Sequence, residues 1–214
     1  MTLTLYFLRH GQTAYSKTGG YCGTLENDPG LTPEGIKMAE SFADFYASVP
    51  WSAIYVSPLK RAIQTATPLC ERVGLSMELR EGLREIGYGQ WEGMHPLDVD
   101  RQFHDLYVRW LTDPAWTAPS GGERGIDIAR RSSEVLEEIE HTYLDGNVLI
   151  VSHKATIRII ICGLMGIDIG RYRDRFAMPV AAVTVVEMGD RGPLFHQIAN
   201  RSYLDDYLKS LPST

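Results

Sequence analysis

The chain has 214 residues, 44% of them hydrophobic, and a formal net charge of -6. That length buries a full core as one domain, and the acidic balance argues against a nucleic-acid binder, which shows a basic surface. No run reaches the ~18 consecutive apolar residues of a membrane span. The N-terminal stretch lacks the basic and apolar regions of a signal peptide, and Cys22, Cys70 and Cys162 have no CxxC spacing, so they read as reduced thiols of a cytoplasmic protein.

The first element is a strand over Leu3–Leu8, which stops abruptly at Arg9-His10-Gly11. A buried strand ending in a cation and an imidazole places charged chemistry at the carboxyl edge of a sheet, where open α/β folds bind ligands. Gly11 permits a tight turn and is expected to bring a backbone N–H toward a bound anion. A glycine-rich loop from Thr18 to Thr24 and a second loop, Asn27-Asp28-Pro29-Gly30, follow. A helix then runs from Thr32 as cap, with Pro33 in its first turn, to about Ala47, with an apolar stripe of Ile36, Ala39, Phe42, Ala43 and Tyr46. A second strand, Ala53–Val56, leads into Ser57-Pro58-Leu59-Lys60-Arg61-Ala62, where Ser57 is expected as N-cap of a helix over about Leu59–Val73 and Arg61 points back to the sheet edge.

Arg80–Pro96 is irregular and rich in glycine, acids and aromatics. Helices are expected over about Leu97–Leu111 and Gly125–Tyr143. The strand Asn147–Val151 ends in Ser152-His153-Lys154 before the apolar helix Ala155–Met165. Strands near Ala182–Met188 and Leu194–Ile198 pair antiparallel across a Gly-Asp-Arg-Gly turn, and Lys209–Thr214 reads as a frayed tail. Strands alternating with helices predict an α/β fold, a three-layer sandwich whose mixed, mainly parallel sheet is flanked by helices. The order of the strands is not readable from the sequence.

Three strand-to-helix junctions thus each carry His or Arg. If Arg9, His10, Arg61 and His153 converge, the positive charge they concentrate is costly unless it holds a dianion such as phosphate, which the guanidinium fork fits in a bidentate way. A histidine with a free ring nitrogen can attack phosphorus in line, provided its other nitrogen is tied to a backbone carbonyl. The leaving alkoxide needs a proton, and the loop from Glu81 to Gly93 offers Glu81, Glu85 and Glu92, among which spacing does not choose.

Arg9-His10-Gly11, Ser57-Pro58-Leu59-Lys60-Arg61-Ala62, Leu83-Arg84-Glu85-Ile86-Gly87-Tyr88-Gly89 and Ser152-His153 together resemble the histidine phosphatase (phosphoglycerate mutase-like) superfamily, in order and over nearly the whole chain. The resemblance implies His10 as phosphoryl acceptor, Arg9, Arg61 and His153 as phosphate pocket, and Glu85 as proton donor. It implies no metal and no cofactor, a small phosphorylated metabolite as partner, and a homodimer as a family-level expectation. It makes 1–214 one histidine phosphatase domain with an inserted cap, or specificity segment, at about 94–123. Gly11, Ser16, Gly23, Thr24 and Lys154 are the substrate-binding candidates, Lys154 against the plainer reading of a solvated helix-start lysine. Arg158 reads as structural.

Ser16 stands where the family's mutases have asparagine, and the segment Met94–Ser120 offers only Arg101 and Arg109 for a second phosphate. Both departures favour a phosphatase over a phosphoglycerate mutase. The Glu85–Gly93 run and Ser120-Gly121-Gly122-Glu123 look like the metal-independent small-metabolite phosphatases, with phosphoserine as the substrate expectation. A non-catalytic phospho-ligand-binding domain is the remaining alternative, disfavoured because both histidines, both arginines and the acid are present.

Overall fold

The computed structural model describes residues 2–24 and 28–213. Asn27, at the start of the second expected loop, and Thr214, at the end of the expected tail, lie outside the described residues.

Six strands, β1 (Leu3–Arg9), β2 (Trp51–Val56), β3 (Met77–Leu79), β4 (Gly146–Ser152), β5 (Val183–Gly189) and β6 (Gly192–Asn200), form one sheet in the order β3-β2-β4-β1-β5-β6. The first four run parallel, whereas β5 is antiparallel to both β1 and β6. The helices among the described residues are α1 (Ala14–Thr18), α2 (Pro33–Tyr46), α3 (Lys60–Val73), α4 (Pro96–Thr112), α5 (Gly125–Thr142), α6 (Lys154–Met165) and α7 (Asp206–Ser210).

The two-residue alternation of a strand divides the apolar side chains between two layers. Leu3, Leu5 and Phe7 of β1 join Val148 and Ile150 of β4 beneath α5 and α6, where Val135, Ile139, Ile157 and Ile161 complete the packing. Leu8, Ile54, Val56, Leu149 and Val151 face the other way, onto Phe42 and Ala43 of α2 and Ala62, Ala66 and Leu69 of α3. This is the expected sandwich, and the expected helices and strands agree with those observed to within two residues at nearly every end. A smaller aromatic cluster, Tyr21, Trp91, Val99 and Trp110, seats α4 beside the loops that follow β1 and β3.

Helix α1 stands where no element was expected, between the Arg9-His10-Gly11 junction and the glycine-rich loop, and it forms because Thr13 and Ser16 make a reciprocal capping box. Strand β3 went unseen because three residues are too few for a period-2 signal. Ser57 is not the cap of α3: the N-cap is Leu59, with no side-chain cap bond, and Ser57 turns inward instead. The tail is tied down as far as Ser213: Pro212 accepts a hydrogen bond from Gln12 Nε2 at 3.0 Å, and Ser213 Oγ accepts one from the Val180 N–H at 2.7 Å.

Candidate active site

The register sets the site. Arg9 of β1 lies opposite Ser152 of β4, and Val56 of β2 opposite Val151. The residues that leave the three strands, His10, Ser57 and His153, therefore emerge side by side at the carboxyl edge, the ligand edge of open α/β sheets. Backbone bonds hold them there, from His10 N–H to the Ser152 carbonyl at 3.1 Å and from Ser57 N–H to the Val151 carbonyl at 2.9 Å.

His10 is 5% exposed and lines a cavity of about 490 Å³. Its Nδ1 lies 2.8 Å from the carbonyl of Gly11, so Nδ1 carries the proton and Nε2 keeps its lone pair. Burial, then the charges of Arg61 and Arg9, hold the imidazole well below the usual histidine pKa, which keeps it neutral and nucleophilic at pH 7. Gly11 is needed for a reason other than the expected one. Its N–H donates to Thr65 Oγ1 at 3.0 Å and so does not face an anion, while a Cβ at this position would stand 2.5 Å from the Gly35 carbonyl oxygen. The glycine lets α2 dock directly on the turn behind His10.

The ring of His153 lies 5.2 Å from that of His10, centroid to centroid. Arg61 Nε donates to its Nδ1 at 3.2 Å, so Nε2 carries the proton and donates to Ser57 Oγ at 2.7 Å. Burial and Arg61 push this imidazole, too, well below its ordinary pKa. The remaining donors of Arg61 reach the Cys22 and Gly23 carbonyls at 3.2 and 3.0 Å, the Cys22 sulfur, and the carboxylate of Asp28 in a buried ion pair. Any further anion at Arg61 has to take the place of one of these acceptors, and Asp28 is the anion among them.

The tertiary structure puts the three carboxylates in different places. Glu81 is exposed and pairs with Arg84. Glu92 is spent on the loops: it accepts from the N–H groups of Gly23, Thr24 and Tyr88, each at 2.9 Å. Glu85 alone of the three lines the cavity, buried at the N-terminus of α6, where it accepts from Ile86, Ala155 and Thr156 N–H at 3.0 to 3.3 Å.

Groups outside the cavity lining hold Glu85 in place. Ser152 Oγ donates to the Leu83 carbonyl at 2.7 Å and Thr156 Oγ1 to the Arg84 carbonyl at 2.6 Å. Arg131 of α5 donates to the carbonyls of Gly82, Arg84 and Glu85 and pairs with Glu123, whose other oxygen accepts the Gly87 N–H at 2.8 Å. The Ser120–Glu123 motif thus clamps the Glu85–Gly93 run.

Of the expected site residues, Arg9, His10, Ser16, Arg61, Glu85 and Lys154 line one cavity. His153 is fully buried beside it. Gly23 and Thr24 give their N–H groups to Glu92 and shape the loop; they do not line the cavity. Lys154 is part-buried on the wall, not a solvated helix start, and Arg9 donates to the Met178 carbonyl. Arg158, expected as structural, donates to the Phe176 carbonyl and also lines the cavity, as does Arg173, which belongs to no motif. Arg101 and Arg109, the candidates for a second phosphate, do not line the cavity. His95 lines the cavity as N-cap of α4, and Tyr15, Tyr21, Tyr88, Tyr107 and Tyr172 complete its aromatic wall. Among the described residues, no three His, Cys, Asp or Glu gather as metal ligands, and no helix is long and apolar enough to cross a membrane.

The model of the family described as histidine phosphatase superfamily, branch 1, matches residues 5–201. Phosphoserine phosphatase 1 of Hydrogenobacter thermophilus is 30% identical over 187 residues, 87% of each chain. A glucosyl-3-phosphoglycerate phosphatase of Mycolicibacterium vanbaalenii is 32% identical over 175 residues, 78% of this chain and 76% of that one. The solved native structure of mycobacterial glucosyl-3-phosphoglycerate phosphatase superposes with a TM-score of 0.84 at 26% identity, covering 94% of this chain and all of that one.

Proposed function

Because the chain belongs to the histidine phosphatase superfamily, branch 1, and is a phosphatase of small phosphorylated metabolites, we propose that it works without a metal, through a phosphohistidine on His10. The observation that carries this reading is the tautomer of His10: Nδ1–H is tied to the Gly11 carbonyl, so the Nε2 lone pair is free in a buried, neutral ring beside two guanidiniums. Nε2 attacks phosphorus as the ester P–O bond breaks, and Arg9 and Arg61 carry the charge on the equatorial oxygens. Glu85 gives its proton to the leaving alkoxide, then takes one from the water that hydrolyses the P–N bond, releasing phosphate and restoring His10. His153, oriented by Ser57 and Arg61, extends the pocket behind the phosphoryl group.

The relatives' names, phosphoserine phosphatase and glucosyl-3-phosphoglycerate phosphatase, make phosphoserine the first substrate to try. Rapid quenching with labelled substrate in the presence of EDTA should trap an acid-labile, base-stable phosphoprotein, and His10→Ala should form none and lose turnover. Substantial activity in His10→Ala, or a requirement for added Mg²⁺, would overturn the mechanism.

A further inference from the structure

Besides the groups around His10, the same cavity carries three more cations: Lys154 and Arg158, one turn apart on α6, and Arg173 of the segment after it. Each is part-buried. Among the described residues no carboxylate forms an ion pair with any of them, although charged side chains rarely leave water unpaired. Arg158 gives one N–H to the Phe176 carbonyl, but its buried Nε–H has no acceptor. Arg173 lies 3.9 Å above the Trp110 ring, which orients a guanidinium without neutralising it.

These cations form a set of their own. The charges that act most on His10 are Arg61 and Arg9, whereas those on Lys154 are Arg9, Arg158 and Arg173, so Arg9 is common to two adjoining groups. Burial and the three arginines bring the Lys154 ammonium down to about 7, the response of a cation held among like charges. A phosphoryl group on Arg9 and Arg61 leaves the second set without a counter-ion. Among the described residues, Glu85 is the single carboxylate on the cavity wall, and α6 backbone N–H groups already engage it.

We propose that Lys154, Arg158 and Arg173 form a second anion subsite, and that the substrate is a phosphate ester bearing a second anionic group, carboxylate or phosphoryl, on the same small molecule. The proposal rests on the reading that His10 receives the phosphoryl group. Arg158 and Arg173 supply planar donor forks and Lys154 a point charge, a combination suited to either anion.

A three-carbon series isolates the second group: 3-hydroxypropyl phosphate, 3-phosphonooxypropanoate and propane-1,3-diol bisphosphate. The wild type should show a kcat/KM roughly ten-fold or more higher for a charged member than for the neutral one, the usual worth of one charge-assisted hydrogen bond. Whichever of the two is preferred identifies the anion. Lys154→Met and Arg173→Gln should each collapse that preference. Calorimetric binding of the same three esters to His10→Ala gives the ranking independently of turnover, so a failure of the phosphohistidine mechanism is told apart from a failure of the subsite. Equal kcat/KM and equal affinity across the series, or a preference that survives both substitutions, would overturn the subsite.

Discussion

The role of Glu85 is open to a sharp test through Glu85→Gln, because the structure separates what the carboxylate holds from what it transfers. Its two oxygens together accept N–H groups from Ile86, Ala155 and Thr156. A glutamine keeps one acceptor oxygen and turns an NH₂ toward an N–H, so about one buried hydrogen bond is lost, worth roughly 1–3 kcal/mol of stability. At about 2–4 °C per kcal/mol for a chain of this size, the melting temperature falls by several degrees and the protein remains folded at 25 °C.

Loss of a general acid costs about 10²–10⁴ in rate, or roughly 3–5 kcal/mol at 1.36 kcal/mol per decade. That loss should appear in kcat/KM for an alkyl ester, since this parameter covers the steps through departure of the alcohol. With p-nitrophenyl phosphate, whose leaving group needs no proton, the loss should shrink to about ten-fold or less, because only the placement of neighbouring groups is disturbed. Side-by-side kcat/KM values on the two esters, with melting curves of both proteins, decide the matter. Equal losses on the two esters would refute proton donation and leave Glu85 a positioning group at the start of α6.

Acid should destabilise the protein through its buried histidines: the folded pKa values of His10 and His153 both lie well below the unfolded value of about 6.5, so the unfolded chain binds more protons as pH falls below it. Stability is then complete above about pH 7 and declines below it with a slope approaching two protons; a melting temperature flat from pH 7 to 5, or one unaffected by replacing both histidines with glutamine, would contradict this. Gly11→Ala should cost about 1–3 kcal/mol in urea denaturation, because the added methyl meets the Gly35 carbonyl oxygen at 2.5 Å and backbone must shift; wild-type stability would show that α2 yields freely. Asp28→Asn removes the anion that competes for Arg61, so inorganic phosphate should inhibit several-fold more strongly; weaker inhibition would mean that Asp28 is needed to aim the guanidinium.

Much of this molecule can be read from stretches of ten residues or fewer. The apolar run of β1 and its arrest at Arg9-His10-Gly11, the Thr32-Pro33 start of α2 and the Asn147–Val151 strand before His153 are written locally. Alternation, capping chemistry and glycine act on a residue through its near neighbours in the chain. Membership in the family follows from four such local blocks in order.

That Glu85, and neither Glu81 nor Glu92, lines the cavity does not, because three loop carboxylates look alike until β3, α6 and the Gly23 loop are packed around them. Nor does the inward turn of Ser57 to His153, nor the hold of Arg131 on the Glu85 segment, each a side-chain contact across dozens of residues. The strand order β3-β2-β4-β1-β5-β6, the docking of Pro212 on Gln12 and the gathering of Lys154, Arg158 and Arg173 on one wall depend likewise on which surfaces meet. Chain periodicity tells a residue which face it occupies, but the partner across that face is selected by burial and charge over the whole fold, and only the assembled core supplies that selection.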